Sequence, residues 1–310
     1  MSSAPDTTNS TSGAGSIRSL YSDTGRYLQS FGAFLKDSDE HEAIINWIKT
    51  YMDEMIVHLG GKKDLRLMSV GCGDGQVDLV VIEKLRNAHF QNIHVTLIDP
   101  SGEQTDRCRT LLQSLTTSEE GQAQVTLTFK TTSFEDYIAT FEASGEALPK
   151  YDMVYLVQML YYVKNPFSVL ENSIKSLEGT GRLFLIHVSG HSGYAKVWKK
   201  FGPRLPQDDN CNYTTADDIR KLCDQLGDHV HVDQTEIEST FNIGSDLRTS
   251  LTGQLAVDFI VEAAEFVEKA PEPLKSEVLD LIASDECTKK NEKGEMSFNN
   301  NLSAITMYVR

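Results

Sequence analysis

The run Leu67-Met68-Ser69-Val70-Gly71-Cys72-Gly73-Asp74-Gly75-Gln76, answered downstream by Ile98-Asp99-Pro100-Ser101, constrains this chain more than any other stretch. An apolar strand that ends in Gly-x-Gly-x-Gly lets the backbone pass close beneath a ligand, because residues without side chains accept positive φ and leave room for bulky groups. An acidic residue closing the next strand, about 24 residues past the last glycine, falls where a ribose diol is held. The two features together predict an α/β fold with an adenosyl-cofactor site at the carboxyl ends of its strands.

Spacing selects among cofactors. A dinucleotide fingerprint places its third glycine one residue later, where Gln76 stands, and a Walker loop needs a Gly-Lys-Ser/Thr that does not follow. Gly-x-Gly-x-Gly with a downstream Asp is the pattern of methyltransferases that use S-adenosylmethionine, with a dinucleotide enzyme as the weaker alternative. A glycine turn without chemical use is the bland alternative.

The remaining pattern supports an alternating fold. Apolar residues recur at helical spacing from Glu40 to Leu59, and Gly60-Gly61 stops that helix just before the glycine strand. Helix is predicted over Gln76 to Asn87, Gly102 to Leu115 and Pro166 to Leu177. Strand is predicted over Ile93 to Asp99, Val125 to Lys130, Met153 to Val157 and Arg182 to Val188, with Gly179 and Gly181 forming the turn before the last of these. A capped helix begins near Thr215, helical patterns cover Leu251 to Val267 and Leu274 to Ile282, and Leu302 to Val309 closes the chain as a strand. The expectation is a doubly wound sheet over about residues 40 to 190 completed by C-terminal strands. Segments 17 to 40 and about 191 to 300 are left to build a substrate region or lid.

Charge and cysteine content narrow the partners. The 29 basic and 45 acidic residues leave a net charge of −16, which repels nucleic acid and anionic membrane and suits a cationic small molecule. Five scattered cysteines without a Cys-x-x-Cys pair, and histidines without ligand spacing to them, predict reduced thiols and no metal. Residues 1 to 16 are rich in Ser, Thr, Gly and Ala and have neither an apolar core nor a basic start. A disordered tail is expected there rather than a signal peptide or membrane span, and with it a cytoplasmic protein whose sequons at Asn9, Asn212 and Asn301 stay unmodified.

Away from the glycines, several strings are too unusual to be generic: Ile17-Arg18-Ser19-Leu20-Tyr21-Ser22-Asp23, Val157-Gln158-Met159-Leu160-Tyr161-Tyr162-Val163-Lys164, Val188-Ser189-Gly190, Trp198-Lys199-Lys200, Pro206-Gln207-Asp208-Asp209 and Phe298-Asn299-Asn300-Asn301-Leu302-Ser303. In these strings the chain resembles the histamine N-methyltransferase family, over about residues 17 to 310. The resemblance implies a Rossmann-like, seven-stranded methyltransferase sheet and a monomer that binds S-adenosylmethionine and a small cationic imidazole. It places the cofactor at Gly71, Gly73, Asp99, Gln104, Ser133 and Val157. Substrate contacts map to Glu40 and Asn300, with Gln158, Tyr161, Tyr162, Tyr27, Tyr194, Trp198, Cys211 and Phe259 as further candidates.

The chain departs from the family's mammalian member at Asp99, Tyr194 and Leu205, which stand for glutamate, tryptophan and phenylalanine. The first change is mild, since either carboxylate accepts from two hydroxyls. The other two remove aromatic area from the amine pocket and predict a roomier one. Each candidate also has a plainer reading. Glu40 could be a first-turn helix acid favoured by the macrodipole, Tyr161 and Tyr162 buried packing, and Asn300 a turn residue. Cys211 could be an ordinary buried thiol, and His187 reads as a core histidine. Catalysis then needs orientation, desolvation and a carboxylate for a cation rather than a nucleophilic side chain. Histamine is the expected substrate. Carnosine or another larger imidazole, and an inactive amine-binding member of the same fold, are the alternatives.

Overall fold

The computed structural model describes residues 17–207 and 213–310, so the tail expected over residues 1 to 16 and the candidate Cys211 lie outside the described residues. Two helices come first, α1 (Thr24–Asp37) and α2 (Glu40–His58). The alternating part follows as β1 (Asp64–Val70), α3 (Gln76–Arg86), β2 (Asn92–Asp99), α4 (Gly102–Leu112), β3 (Gln124–Thr131), α5 (Phe134–Ser144), β4 (Tyr151–Val157), α6 (Pro166–Lys175) and β5 (Leu177–Val188). Beyond it run α7 (Gly193–Phe201), α8 (Ala216–Cys223), β6 (Val230–Ile237), β7 (Thr240–Asn242), α9 (Leu251–Val261), α10 (Phe266–Lys269), α11 (Glu272–Ile282), β8 (Thr288–Lys290), β9 (Met296–Asn299) and β10 (Leu302–Val309).

Seven strands form one sheet in the order β3-β2-β1-β4-β5-β10-β6, with β1 to β5 parallel and β10 antiparallel to both its neighbours. The order reverses at β1, with β2 and β3 to one side and β4 and β5 to the other, so a crevice opens at the carboxyl ends of β1 and β4. β4 and the second half of β5 are buried almost without a break, as strands covered on both faces must be. One apolar cluster joins the sheet to α2, α3 and α4, and another joins it to α5, α6 and α8. A third gathers α1, α7, α9, α10, α11 and β9. No helix among the described residues is long and apolar enough to cross a membrane.

Local departures from the sequence-based expectation have identifiable causes. The helix expected over Leu251 to Val267 stops at Val261, because Glu262 and Glu265 take positive φ of 53° and 56°. One local and several distant groups stabilise that break: the Asp258 carboxylate of α9 accepts from the amides of Glu265 and Phe266 at 2.8 and 2.9 Å and pairs with Arg26 of α1 at 2.6 Å. Leu20 N donates to Glu262 O, and Ala264 N to Arg18 O. Gly179 and Gly181 lie within β5 rather than in a turn before it. A Cβ on Gly181 would sit 2.7 Å from Tyr151 O, where the β4 and β5 register shifts. The stretch after Gly190, left to the substrate region or lid, opens with α7, capped by Ser192 Oγ accepting from Ala195 N at 3.1 Å.

Candidate active site

The glycine loop uses its three glycines in three ways. Gly71, Gly73 and Gly75 have φ of 71°, 54° and 88°, a region side chains rarely adopt. A Cβ on Gly71 would lie 2.6 Å from Met159 Cβ, and one on Gly75 would lie 2.7 Å from Cys108 Sγ of α4, but nothing stands within 4 Å at Gly73. Gly71 therefore lets the segment after β4 close on the loop, Gly75 takes the helix-packing role, and Gly73 leaves open space beside the backbone.

Asp99 ends β2 with its carboxylate tied to that loop: Oδ2 accepts from Gly73 N at 2.9 Å and Oδ1 from Ser101 N at 2.8 Å. Each oxygen keeps a second acceptor position for a diol. Gln104, whose backbone N is capped by Ser101 Oγ, holds a buried Oε1 without a partner among the described residues. An open backbone cradle, an anchored carboxylate and an unmatched buried acceptor fit an adenosyl group. Ser133 spends its hydroxyl on the start of α5, accepting from Asp136 N at 3.0 Å and donating to Asp136 Oδ2 at 2.8 Å. Val157 ends β4 directly before Gln158. Asp99→Ala is expected to raise the dissociation constant for S-adenosylmethionine roughly tenfold to a hundredfold, since hydrogen bonds to a charged acceptor contribute about 1.5–3 kcal/mol. Isothermal titration calorimetry checks this, and an unchanged constant removes Asp99 from the cofactor site.

Across the crevice the substrate candidates converge on one carboxylate. Glu40 Oε1 accepts from Gln158 Nε2 at 3.0 Å, and Oε2 from Asn300 Nδ2 at 2.9 Å. Tyr161 OH donates to Gln158 Oε1 at 3.0 Å and accepts from Val188 N at 3.1 Å, which orients the Gln158 amide with its NH2 toward Glu40. Gln158 holds a φ of 52°, and a non-glycine residue in that region stores about 1–3 kcal/mol of strain. Asn300 is fully buried between Ser38, Ser239 and Glu40, and its Oδ1 has no partner among the described residues. Burial pushes the Glu40 carboxyl above the usual range, opposed by the two amides and assisted by the charge of Asp39. Asp39 fixes the start of α2 by accepting from Ser239 Oγ, Thr240 N and Thr240 Oγ1.

Aromatic rings surround this polar centre unevenly. Tyr161 stacks on His187 at 3.9 Å and meets Trp198 edge-on at 6.4 Å, while Tyr194 lies 5.3 Å from Trp198 and 5.2 Å from Phe298. Trp198 is buried with its Nε1 donating to Ile260 O at 2.9 Å. Tyr27 and Phe259 belong to a ring cluster between α1 and α9: Tyr27 stacks on Phe31, and Phe259 on Phe34 at 4.5 Å. Tyr162 is largely exposed, at 56%. Leu205 is buried in the cluster that holds α7 and α9. His187 is fully buried with Nε2 3.0 Å from Thr214 O, and burial pushes its pKa down to about 3, so it stays neutral.

Sequence reasoning missed Glu262. It ends α9, is 6% exposed, accepts from Tyr21 OH at 3.3 Å, and its charge reaches Tyr161, Tyr162 and Tyr194. Nothing in the local pattern distinguishes it from an ordinary helix acid. An open cleft of about 590 Å³ along α2 and β6, lined by Asp39, Glu42, Trp47, Glu236 and Glu238 among others, contains none of Glu40, Gln158, Tyr161 and Asn300.

Residues 41–230 match the model of the methyltransferase domain family. The described fold is similar to that of the YcgJ protein from Bacillus subtilis, with a TM-score of 0.51 and 13% identity over 87% of this chain and 99% of that one. Sheet order, glycine loop and domain match together make the chain an S-adenosylmethionine-dependent methyltransferase with a Rossmann-like sheet. It is 33% identical to histamine N-methyltransferase of Mus musculus over 95% of this chain and 98% of that one. It is 32% identical to histamine N-methyltransferase B of Xenopus laevis over 94% and 98%. The chain belongs to the histamine N-methyltransferase family.

Proposed function

We propose that this enzyme methylates a ring nitrogen of a small cationic imidazole, with histamine as the substrate, and that α1 with the elements after β5 forms the substrate-binding part. The observation that carries this reading is the Glu40 carboxylate, desolvated and hydrogen-bonded by neutral amides alone, with no cation bonded to it among the described residues. A carboxylate so placed is stabilised by a ligand that brings an N–H donor or a positive charge.

Tautomer selection follows from the donor and acceptor inventory. A neutral imidazole has one N–H and one lone pair. Glu40 and the unmatched Asn300 Oδ1 are acceptors, so they take the N–H nitrogen and leave the other nitrogen unprotonated as nucleophile. S-adenosylmethionine, when bound, supplies a methyl on a sulfonium that needs no further activation. The ring gains a positive charge as the methyl arrives, and Glu40 balances that charge. The ring proton then passes to the Glu40 carboxylate or to water. The raised proton affinity of Glu40 suits the first route.

Tyr194 and Leu205 in place of larger aromatic residues support tolerance of a longer imidazole such as carnosine. A panel of histamine, carnosine, histidine and phenolic amines, followed by release of S-adenosylhomocysteine, tests both readings. Turnover confined to imidazoles is expected. Equal turnover of phenolic amines overturns the proposal, and a preference for carnosine over histamine replaces its substrate.

A further inference from the structure

We infer that the hydroxyl oxygen of Tyr194 is a specificity-determining acceptor for the alkylammonium tail of the substrate, an inference that rests on the imidazole-amine reading above. Tyr194 is 5% exposed, and its OH has no hydrogen-bond partner among the described residues. A buried hydroxyl left unmatched is costly, and native sites retain such a group where a ligand completes it. The ring itself is held firmly. Tyr194 sits on α7, buried against Trp198 at 5.3 Å and edge-on to Phe298 at 5.2 Å, so the hydroxyl cannot easily turn away to find water.

The surroundings decide which kind of group it meets. Charges of Glu40 and Glu262 both act on the Tyr194 phenol, and burial keeps that phenol neutral by pushing its ionisation well above the usual value. Two carboxylates make the local potential negative, which favours a cation. A primary or secondary ammonium brings both the charge and the N–H that the hydroxyl oxygen accepts. Tryptophan, which resemblance puts at this position in the mammalian member of the family, has an indole N–H but no such acceptor.

Tyr194→Phe removes the oxygen and preserves the ring. Steady-state methyl transfer is measured for histamine and for 4-methylimidazole, which shares the ring and lacks the ammonium. The expected result is a fall of about tenfold in kcat/KM for histamine, carried by KM, with 4-methylimidazole unchanged. The thermal midpoint should stay level or rise, because an unmatched buried hydroxyl has been removed. An equal change for both substrates, or none for either, overturns the inference and leaves the imidazole reading standing. A lowered thermal midpoint with equal loss on both assigns Tyr194 to packing alone. A parent enzyme that turns over neither compound removes the imidazole reading and this inference with it. Calorimetric binding of histamine to the parent and variant repeats the comparison without turnover, and equal affinity there also overturns the inference.

Discussion

Glu40→Gln is expected to lower kcat/KM for an imidazole amine by at least about a hundredfold, from the lost charge–donor hydrogen bond together with the lost proton acceptor. Fold and cofactor affinity should survive. A glutamine at this position turns an NH2 toward either Gln158 or Asn300, both of which now donate to the carboxylate. Gln158 cannot reverse without losing its bond from Tyr161, whereas Asn300 can turn its unmatched Oδ1 toward the new NH2 at the expense of its Nδ2 bond to Ser239 Oγ. The change is therefore absorbed at Asn300.

Stability has a definite sign. The folded-state pKa of Glu40 is raised, so the native state holds its proton more tightly than the unfolded chain does. Between the ordinary carboxylate pKa and the raised one, stability from this group is lost as pH rises. Above the ordinary carboxylate range the group is thus a net cost to the folded state, and the thermal midpoint of Glu40→Gln should equal or exceed the parent's. The acid limb that Glu40 imposes on the parent's kcat/KM profile should lie above the usual carboxylate range and vanish in the variant. Parent-like kinetics in Glu40→Gln would return this residue to the role of a helix-start acid.

Gly71→Val should be the most damaging single change in the cofactor loop. A branched side chain at a φ of 71° meets backbone strain, and its Cβ lands 2.6 Å from Met159 Cβ. Strain of about 1–3 kcal/mol and overpacking of about 1–3 kcal/mol combine to roughly 2–6 kcal/mol, a large share of a stability of about 5–15 kcal/mol. Chemical denaturation should show that loss, together with abolished cofactor binding. Gly73→Ala is the matched control. Its φ of 54° carries strain of about 1–2 kcal/mol, with no neighbour for the Cβ to strike. A Gly73→Ala variant as unstable as Gly71→Val would show that conformation alone, not Met159, accounts for the effect.

The amino-acid sequence by itself determined the sheet and the glycine loop at its edge. Gly71, Gly73, Gly75 and Asp99 are legible because their roles are local: a strand end, a positive φ and an acid on the adjacent strand follow from spacing along the chain. The buried runs of β4 and β5 are legible for the same reason, since a strand covered on both faces must be apolar throughout.

Tertiary structure alone decided how the polar cluster around Glu40 is assembled. Glu40, Gln158 and Asn300 come from the start of α2, the end of β4 and the turn before β10, and no local periodicity links positions 118 and 260 residues apart. Family strings named these residues, but only the fold shows that the helix-start acid turns inward to two amides and that Tyr161 fixes one of them. Glu262 was invisible because the break after α9 has no glycine or proline to announce it. Asp258, four residues upstream, captures amides that a continuing helix would have used itself, and Arg26 with the backbone of Arg18 and Leu20 holds that turn from more than 200 residues away in sequence.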